Sequence, residues 1–428
     1  MTGGVRHRTA TLAGMLAPWL GLALVFALAP LVFASSTSLT MMSVMGVMII
    51  FALSYNMLLG QTGLLSFGHA VYYGLGGFVT LHAMNAVIAL RLPVPVPVLP
   101  LVGGLAGLLF GVAFGAVSVR RAGIVFAMIS LGIGELVSSS SFILRSFFGG
   151  EEGVTTNRTR LMAFFGHKFG PQIEVYYLIA IWCFVCILAM YALTRTPFGR
   201  MCNAVRENPE RVQFIGYSPL RIRFIAFCFS AFFAGIAGAL SAISFEIMNA
   251  SSLGALQSGL VLLMTFVGGI GHFLGPVIGA VLISFLQTTL SDVTGAWQLY
   301  FGILFILVVL FSPDGVAGWL TLHGEAARRG ELLRLAPSYA LMAVPLAAGF
   351  LGAILIIELA HWVLVSAPSE GPVMTFFGLP LTATSALPWL AALALLATGL
   401  VSGRLVWPRV EDAWTEINLK RLKTQAPP

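Results

Sequence analysis

The chain is a succession of apolar runs of about 20 residues, the length on which a helix crosses a bilayer, with most of its charge gathered into short clusters between them. At 58% hydrophobic and 9% charged, against about a quarter charged in a soluble domain, its 428 residues cannot clothe a water-facing surface. A soluble enzyme is excluded, and the lack of alternating patterning argues against an outer-membrane barrel. Windows of about 19 residues mark candidate helices near 12–34, 39–60, 62–90, 97–119, 122–145, 174–194, 223–246, 254–270, 272–290, 297–312, 338–365 and 382–403. The expected fold is all-α, a polytopic transmembrane helical bundle of about ten core spans plus a C-terminal pair. The Gly-, Ser- and His-rich run 62–90 reads as broken or partly re-entrant, and 254–290 as two short helices or one irregular pair.

Basic residues set the orientation. With the N-terminus cytoplasmic, 18 of the 23 Lys and Arg fall on one side, from Arg6, Arg8, Arg120 and Arg121 through the arginines of 195–223 to Arg328, Arg329, Arg334 and the tail. The other side keeps Arg91, Arg145, Arg158, Arg160 and Lys168. The expected location is the cytoplasmic (inner) membrane with both termini cytoplasmic. The net +7 is therefore topological, and no nucleic-acid partner is expected. The run from Leu12 to Phe33 reads as a retained first helix, since Pro30 directly follows its one small-x-small site. Cys183 and Cys186 fall one turn apart within an apolar run, so they read, with Cys202 and Cys228, as packed residues and no metal site is expected. The polar stretch from Ser312 to Pro337 marks a boundary between residues 1–320 and a C-terminal extension, 321–428, with two further spans and a charged tail, Trp407 to Pro428, expected to be surface-lying or disordered.

The most informative polar stretch is 197–220. Gly199 to Glu207 forms a short helix whose polar face carries Arg200, Asn203, Arg206 and Glu207. Asn208-Pro209 permits a break and a restart, and Gly216 ends the second helix. A helical hairpin on the membrane face is a docking knob for a cytoplasmic partner; an ordinary charged loop that enforces topology is the alternative. Two sets of glycines repeat every four residues: Gly103, Gly107, Gly111 and Gly115, then Gly271, Gly275 and Gly279. Each offers a strip along which another backbone approaches closely. Asn56, Gln61, Ser66 and His69 interrupt an apolar region, and Glu135 lies in the middle of the run 122–145. Polar groups at membrane depth face protein or water, so these five are candidates for the translocation path. Packing roles are the alternatives for His69 and Glu135. Glu246 and Asn249 sit near the outer mouth, and Glu358 in the extension has no assigned role.

Three segments carry a family resemblance. Gly199-Arg200, Ala204-x-Arg206-Glu207 and Gly216 are followed by Ala226-Phe227-x-x-Ser230-Ala231-x-x-Ala234-Gly235-x-Ala237-Gly238-Ala239. With Asn56-x-x-x-Gly60-x-x-Gly63-x-x-Ser66-x-Gly68 and Gly268-Gly269-x-Gly271-x-x-x-Gly275-Pro276-x-x-Gly279-Ala280, they make residues 39–320 resemble the permease subunits of ATP-binding-cassette importers for branched-chain amino acids, and the long central loop resembles the M-type partner. The resemblance implies a second related permease subunit, two cytoplasmic ATP-binding subunits and a periplasmic or extracellular substrate-binding protein around this chain in the lipid bilayer. It also implies that Gly199, Arg200, Ala204, Arg206, Glu207, Asn208, Pro209 and Gly216 couple to the ATPase. The spans after residue 337 depart from the usual pattern.

No lysine among Lys168, Lys420 and Lys423 follows a glycine in a Walker-type loop, and no His-Glu-x-x-His or Gly-x-Ser-x-Gly occurs. This chain is therefore expected to be a transport subunit and not an enzyme. It would bind no cofactor itself, ATP and Mg being used by partner subunits. The alternatives are an ABC permease for urea or short amides, and an ion-coupled secondary transporter using carboxylates such as Glu135.

Overall fold

The computed structural model describes residues 3–312, 314–328, 330–367 and 371–425, with side chains from 17 to 416 within them. Of the charges used for orientation, Arg6, Arg8, Arg329, Lys420, Arg421 and Lys423 lie outside the described side chains. The protein is a helical bundle. Nine helices among the described residues are long and apolar enough to cross a bilayer, and a bent pair makes a candidate tenth. Three of the twelve windows fall short of a simple span. The apolar part of α1 (Gly3–Val32) covers Ala17–Val32, α11 (Ala255–Gly268) has 14 residues, and α13 (Trp297–Phe311) is bent by 53° from α14 (Gly315–Arg328).

Two compact units are present, Met1–Thr288 with Phe305–Ala317, and Thr289–Leu304 with Gly318–Pro428. Compactness thus groups 289–304 with the C-terminal residues, where composition places the boundary at 320. The first unit is built around α10 (Pro219–Phe245), which packs against α2 (Ser36–Thr62), α3 (Ala70–Leu90) and α4 (Leu99–Ser118). Around them stand α5 (Ile124–Ile143), the single turn α6 (Arg145–Phe148), α7 (Gln172–Arg195), α11 and most of α12 (Gly275–Val293).

Small residues set this architecture. Along α4, a Cβ at Gly103 would stand 2.5 Å from the Ala239 Cβ, at Gly111 2.6 Å from the Ala231 Cβ and at Gly115 2.8 Å from the Phe227 ring, while Gly107 abuts the Ala231 carbonyl. The first glycine strip is therefore the seam between α4 and α10. The second needs correction, because Gly271 lies in the turn before α12 with open space around it. Gly275 and Gly279 do pack closely, against Gly268, Gly269 and Met264 of the neighbouring segment. The four cysteines are free and buried.

At one end of α10, α8 (Pro197–Glu207) and α9 (Pro209–Phe214) form a hairpin. At the other, β1 (Val154–Thr155) pairs antiparallel with β2 (Ile247–Met248), tying the 149–171 loop to the end of α10. Arg158 secures that loop. Its buried guanidinium donates to the carbonyls of Phe169 at 2.6 Å, Ile243 at 3.1 Å and Ser244 at 2.9 Å, placing a cation on the free carbonyls of a helix C-terminus. Glu246 accepts the Arg158 backbone N–H at 2.7 Å, so it is a loop clamp. Asn249 accepts from the hydroxyls of Ser251 and Ser252.

In the second unit, α15 (Leu332–His361) and α16 (Ala386–Gln425) are joined through a π-helical turn, Trp362–Ser366, and a hairpin of β3 (Val373–Phe376) and β4 (Leu379–Thr382). A Cβ at Gly352 would stand 2.4 Å from the Leu396 backbone N, and one at Gly399 would run into the Gly349 backbone, so the two helices touch backbone to backbone. The tail is helical to Gln425, which sets aside the disordered alternative, and its described residues from Arg404 to Glu416 are mostly exposed. Trp414 fixes it: its indole N–H donates to the Tyr339 hydroxyl at 3.0 Å, which donates in turn to His323 Nε2 at 2.7 Å. Glu358 also finds partners here, accepting from Tyr300 at 2.8 Å and Thr294 at 3.1 Å.

Candidate coupling hairpin and translocation face

The α8–α9 hairpin is specified almost residue by residue. Thr196 caps α8 by accepting the Gly199 N–H at 3.3 Å, and Pro197 occupies the first turn, where its missing N–H costs nothing. Gly199 sits in the corner with α7, where a Cβ would be 2.5 Å from the Leu193 carbonyl. Asn208 repeats the device for α9, accepting the Arg211 N–H at 2.9 Å ahead of Pro209. Gly216, at φ +89°, supplies the left-handed turn that leads back to α10.

The hairpin is also amphipathic. Cys202, Val205, Val212, Ile222 and Ala226 form a small buried core flanked by Phe198, Met201 and Ala204. Burial pushes the Cys202 thiol up to about 12. Arg200, Asn203, Arg206 and Glu207 lie on the exposed side of α8. The tip is apolar, with Phe214 89% exposed and Ile215 and Tyr217 beside it.

Beside its packing on α7 and α10, the hairpin makes a hydrogen bond to α2. Arg206 donates through Nη1 to the carbonyl of Gly60 in the last turn of α2. Gly63 ends that helix in the left-handed region at φ +71°, and residues 63–69 then cross to α3 without helical structure. The run 62–90 is therefore not broken within the membrane as expected: α3 is one continuous helix long enough to span, and 63–69 is the link that joins it to α2. The connector is tied on three sides: Tyr55 donates its hydroxyl to the Ser66 carbonyl at 3.0 Å, Ser130 of α5 accepts the Phe67 N–H at 3.0 Å, and Ser258 of α11 accepts the Ala70 N–H at 3.1 Å. Gly68 and Gly134 meet where the connector crosses α5.

The five path candidates fall into two groups. Asn56, Ser66 and His69 are buried within the unit, and Gln61 is half-buried beside them in sequence. His69 shares a 3.1 Å hydrogen bond with Ser54 and lies among Phe51, Tyr55 and Tyr72. Glu135 is apart from them. It is exposed on α5, on the same outward face as Met128, Leu131, Gly132 and Ser139, and one residue beyond the Gly134–Gly68 contact. The residues that sequence reasoning left unassigned are Gly60 as the acceptor for Arg206, Ser130 and Ser258 as clamps on the connector, and Arg158 as a helix-end cap. Nothing local marks them, because each acts on a partner 60 or more residues away. Among the described residues no cluster of His, Cys, Asp and Glu could hold a metal ion.

A helical bundle with a connector clamped to the inner face of α5 and an amphipathic hairpin between α7 and α10 is the architecture of a polytopic membrane protein. The comparisons give its family. Residues 37–313 match the model of the branched-chain amino acid transport system permease component, and the chain belongs to that family. Among its relatives are the high-affinity branched-chain amino acid transport system permease proteins LivM of Salmonella typhimurium and Escherichia coli, 29% and 28% identical over 289 residues, which are 63% of this chain and 67% of each relative. BraD of Pseudomonas aeruginosa, a permease protein of the same description, is 25% identical over 62% of this chain and 90% of its own length. No solved structure matches the chain.

Proposed function

We propose that this chain is the membrane-spanning subunit of an ATP-driven importer for branched-chain or other hydrophobic amino acids, lining half of the path and passing ATPase movement to it through the α8–α9 hairpin. The chain itself performs no hydrolysis; two cytoplasmic ATP-binding subunits use ATP and Mg, a second related permease completes the path, and a substrate-binding protein delivers cargo from the far side. The termini and the hairpin then lie in the cytoplasm. The observation that carries this reading is the Arg206–Gly60 hydrogen bond. A force on the apolar tip around Phe214 reaches the end of α2, then the 63–69 connector, then α5 beside Glu135, through an unbroken chain of contacts.

Glu135 supports the same reading from the other end. A carboxylate in the middle of a span does not face lipid, so the outward stripe of α5 is covered by the partner permease or opens onto water between the two. Met128, Leu131 and Leu136 keep that stripe largely apolar around Gly132, Glu135 and Ser139, which suits passage of a zwitterion with an apolar side chain without tight retention.

Purification from mild detergent, with mass spectrometry of the co-purifying chains and an ATPase assay on the eluate, tests the assignment. A Walker-containing ATPase and a second permease are expected. A chain that purifies alone and drives gradient-dependent uptake without ATP would replace the importer with a secondary transporter.

A further inference from the structure

The segment between α15 and α16 has a composition unlike an ordinary extramembrane turn. From Gly371 to Gly403 the sequence contains no Asp, Glu, Lys, Arg or His, although α16 begins only at Ala386. The uncharged stretch is thus far longer than the span it leads into. β3 and β4 fold it into a hairpin, with Val373 opposite Thr382 and Phe376 opposite Leu379. One face is accounted for: Met374, Phe376 and Leu381 pack on Leu355, Leu359, Trp362 and Trp389.

The other face is not. A two-stranded sheet laid on a core ordinarily turns polar residues to water; here the outer face pairs Val373 and Pro380 with Thr382 and Thr375, and Leu379, on the Phe376 side near the tip, is itself 64% exposed. At the tip, Phe377 and Gly378 have φ +48° and +81°, the two-residue turn that Asn-Gly or Asp-Gly normally fills. A phenylalanine in that region is strained, and the fold returns little beyond an edge contact with the Phe376 ring, since Phe377 is 81% exposed. The feet of the hairpin are marked by tryptophan. Trp362 donates its indole N–H to the Gly371 carbonyl at 3.0 Å and Trp389 to the Ala383 carbonyl at 2.9 Å. Tryptophan is enriched at the membrane–water interface, and the helices that continue from these feet turn Leu364, Leu390, Leu393 and Leu400 outward.

We propose that the β3–β4 hairpin is a lipid anchor, lying at the headgroup boundary with Phe377 inserted among the acyl chains. The free N–H and C=O groups along its two outer edges hold it at that boundary and keep it out of the hydrocarbon centre. Anchoring of this kind fixes the depth of the α15–α16 pair. The inference requires only that this unit spans the membrane, and it is independent of the substrate and of the ATPase partner.

Because all four native cysteines are buried, a nitroxide label can be directed to a single introduced cysteine. The full chain carrying Phe377→Cys is placed in phosphatidylethanolamine–phosphatidylglycerol vesicles, and spin relaxation by oxygen, which concentrates in lipid, is compared with relaxation by a water-soluble nickel chelate. Leu400→Cys on α16 provides the lipid reference and Glu152→Cys, at an exposed charged position of the 149–171 loop, the aqueous one. Oxygen is expected to exceed nickel several-fold at 377, as at 400. Nickel dominating, as at 152, or low access to both reagents, as under a protein partner, would overturn the anchor. Leu379→Cys repeats the measurement on the sheet face should the first variant not insert, and an aqueous signal at 400 would defeat the proposal through its premise.

Discussion

At the residue scale, Arg206 and Glu135 are the two ends of one argument. Arg206 is the only described side chain of the hairpin with a hydrogen bond to α2, and a charge-assisted bond of this kind contributes about 1.5–3 kcal/mol. Arg206→Ala is therefore expected to lower uptake by about tenfold or more in the assembled importer while ATP hydrolysis persists, and Arg206→Lys to restore part of it. Equal loss of both activities would mean that the residue serves assembly instead. Glu135→Gln removes the membrane-depth charge at nearly the same side-chain volume; transport should fall while the subunits still co-purify, and unchanged uptake would remove the Glu135 charge from the path. Cys202 tests the hairpin core. Its folded thiol titrates near 12 against an ordinary 9.0, so the fold favours the protonated form: the contribution to stability is whole below pH 9 and is lost as pH rises toward 12. Maleimide should leave Cys202 unlabelled at neutral pH until the protein is denatured. These roles were unevenly legible. The sequence marked Arg206 by its place in a polar helix, but its acceptor is a backbone carbonyl of Gly60, which carries no side-chain signature.

At the element scale, what could be read in advance was whatever repeats or caps locally. The four-residue glycine spacing announced the α4 face of the α10 seam, and Asn208-Pro209 announced the restart of α9, because both depend on positions within one or two turns. Gly271 fitted the spacing of the second strip only by coincidence of number; the helix starts at Gly275, so periodicity that runs across a turn has no geometric meaning. The charge of the tail argues for solvent, which it meets as a helix and not as a disordered chain: at about 1.5 Å per residue the 40 residues of α16 reach well past a hydrocarbon core of about 30 Å, and Trp414 holds the protruding part to Tyr339. Gly107→Leu tests the seam. A side chain driven against the Ala231 carbonyl has no room to turn, and overpacking costs about 1–3 kcal/mol or more, so the variant should melt several degrees lower in detergent. Gly132→Leu, at an outward glycine with nothing within 4 Å, should leave the melting of the isolated chain unchanged.

For the whole molecule, the division into units carries a consequence that a linear boundary does not. Residues 289–304 group with the C-terminal helices, and the chemistry of that grouping is Glu358, whose carboxylate takes the hydroxyls of Tyr300 and Thr294. Cutting the chain after residue 331 would remove Glu358 and leave the hydroxyl protons of Tyr300 and Thr294 without their acceptor, although the Thr294 oxygen would still accept the Ala296 N–H. A half-buried donor stripped of its acceptor costs about 1–3 kcal/mol, so the truncated chain is expected to be less stable than the full one. Glu358→Gln should lie between the two, since the amide oxygen still accepts one of the two bonds. Thermal unfolding of the three proteins in the same detergent distinguishes the possibilities. If the truncated chain unfolds at the temperature of the full chain, α15 and α16 are a separable appendage, and the boundary lies where the composition changes. If it unfolds earlier and Glu358→Gln accounts for much of the difference, the extension is integral to the start of α13, and removing it alters the segment that begins there.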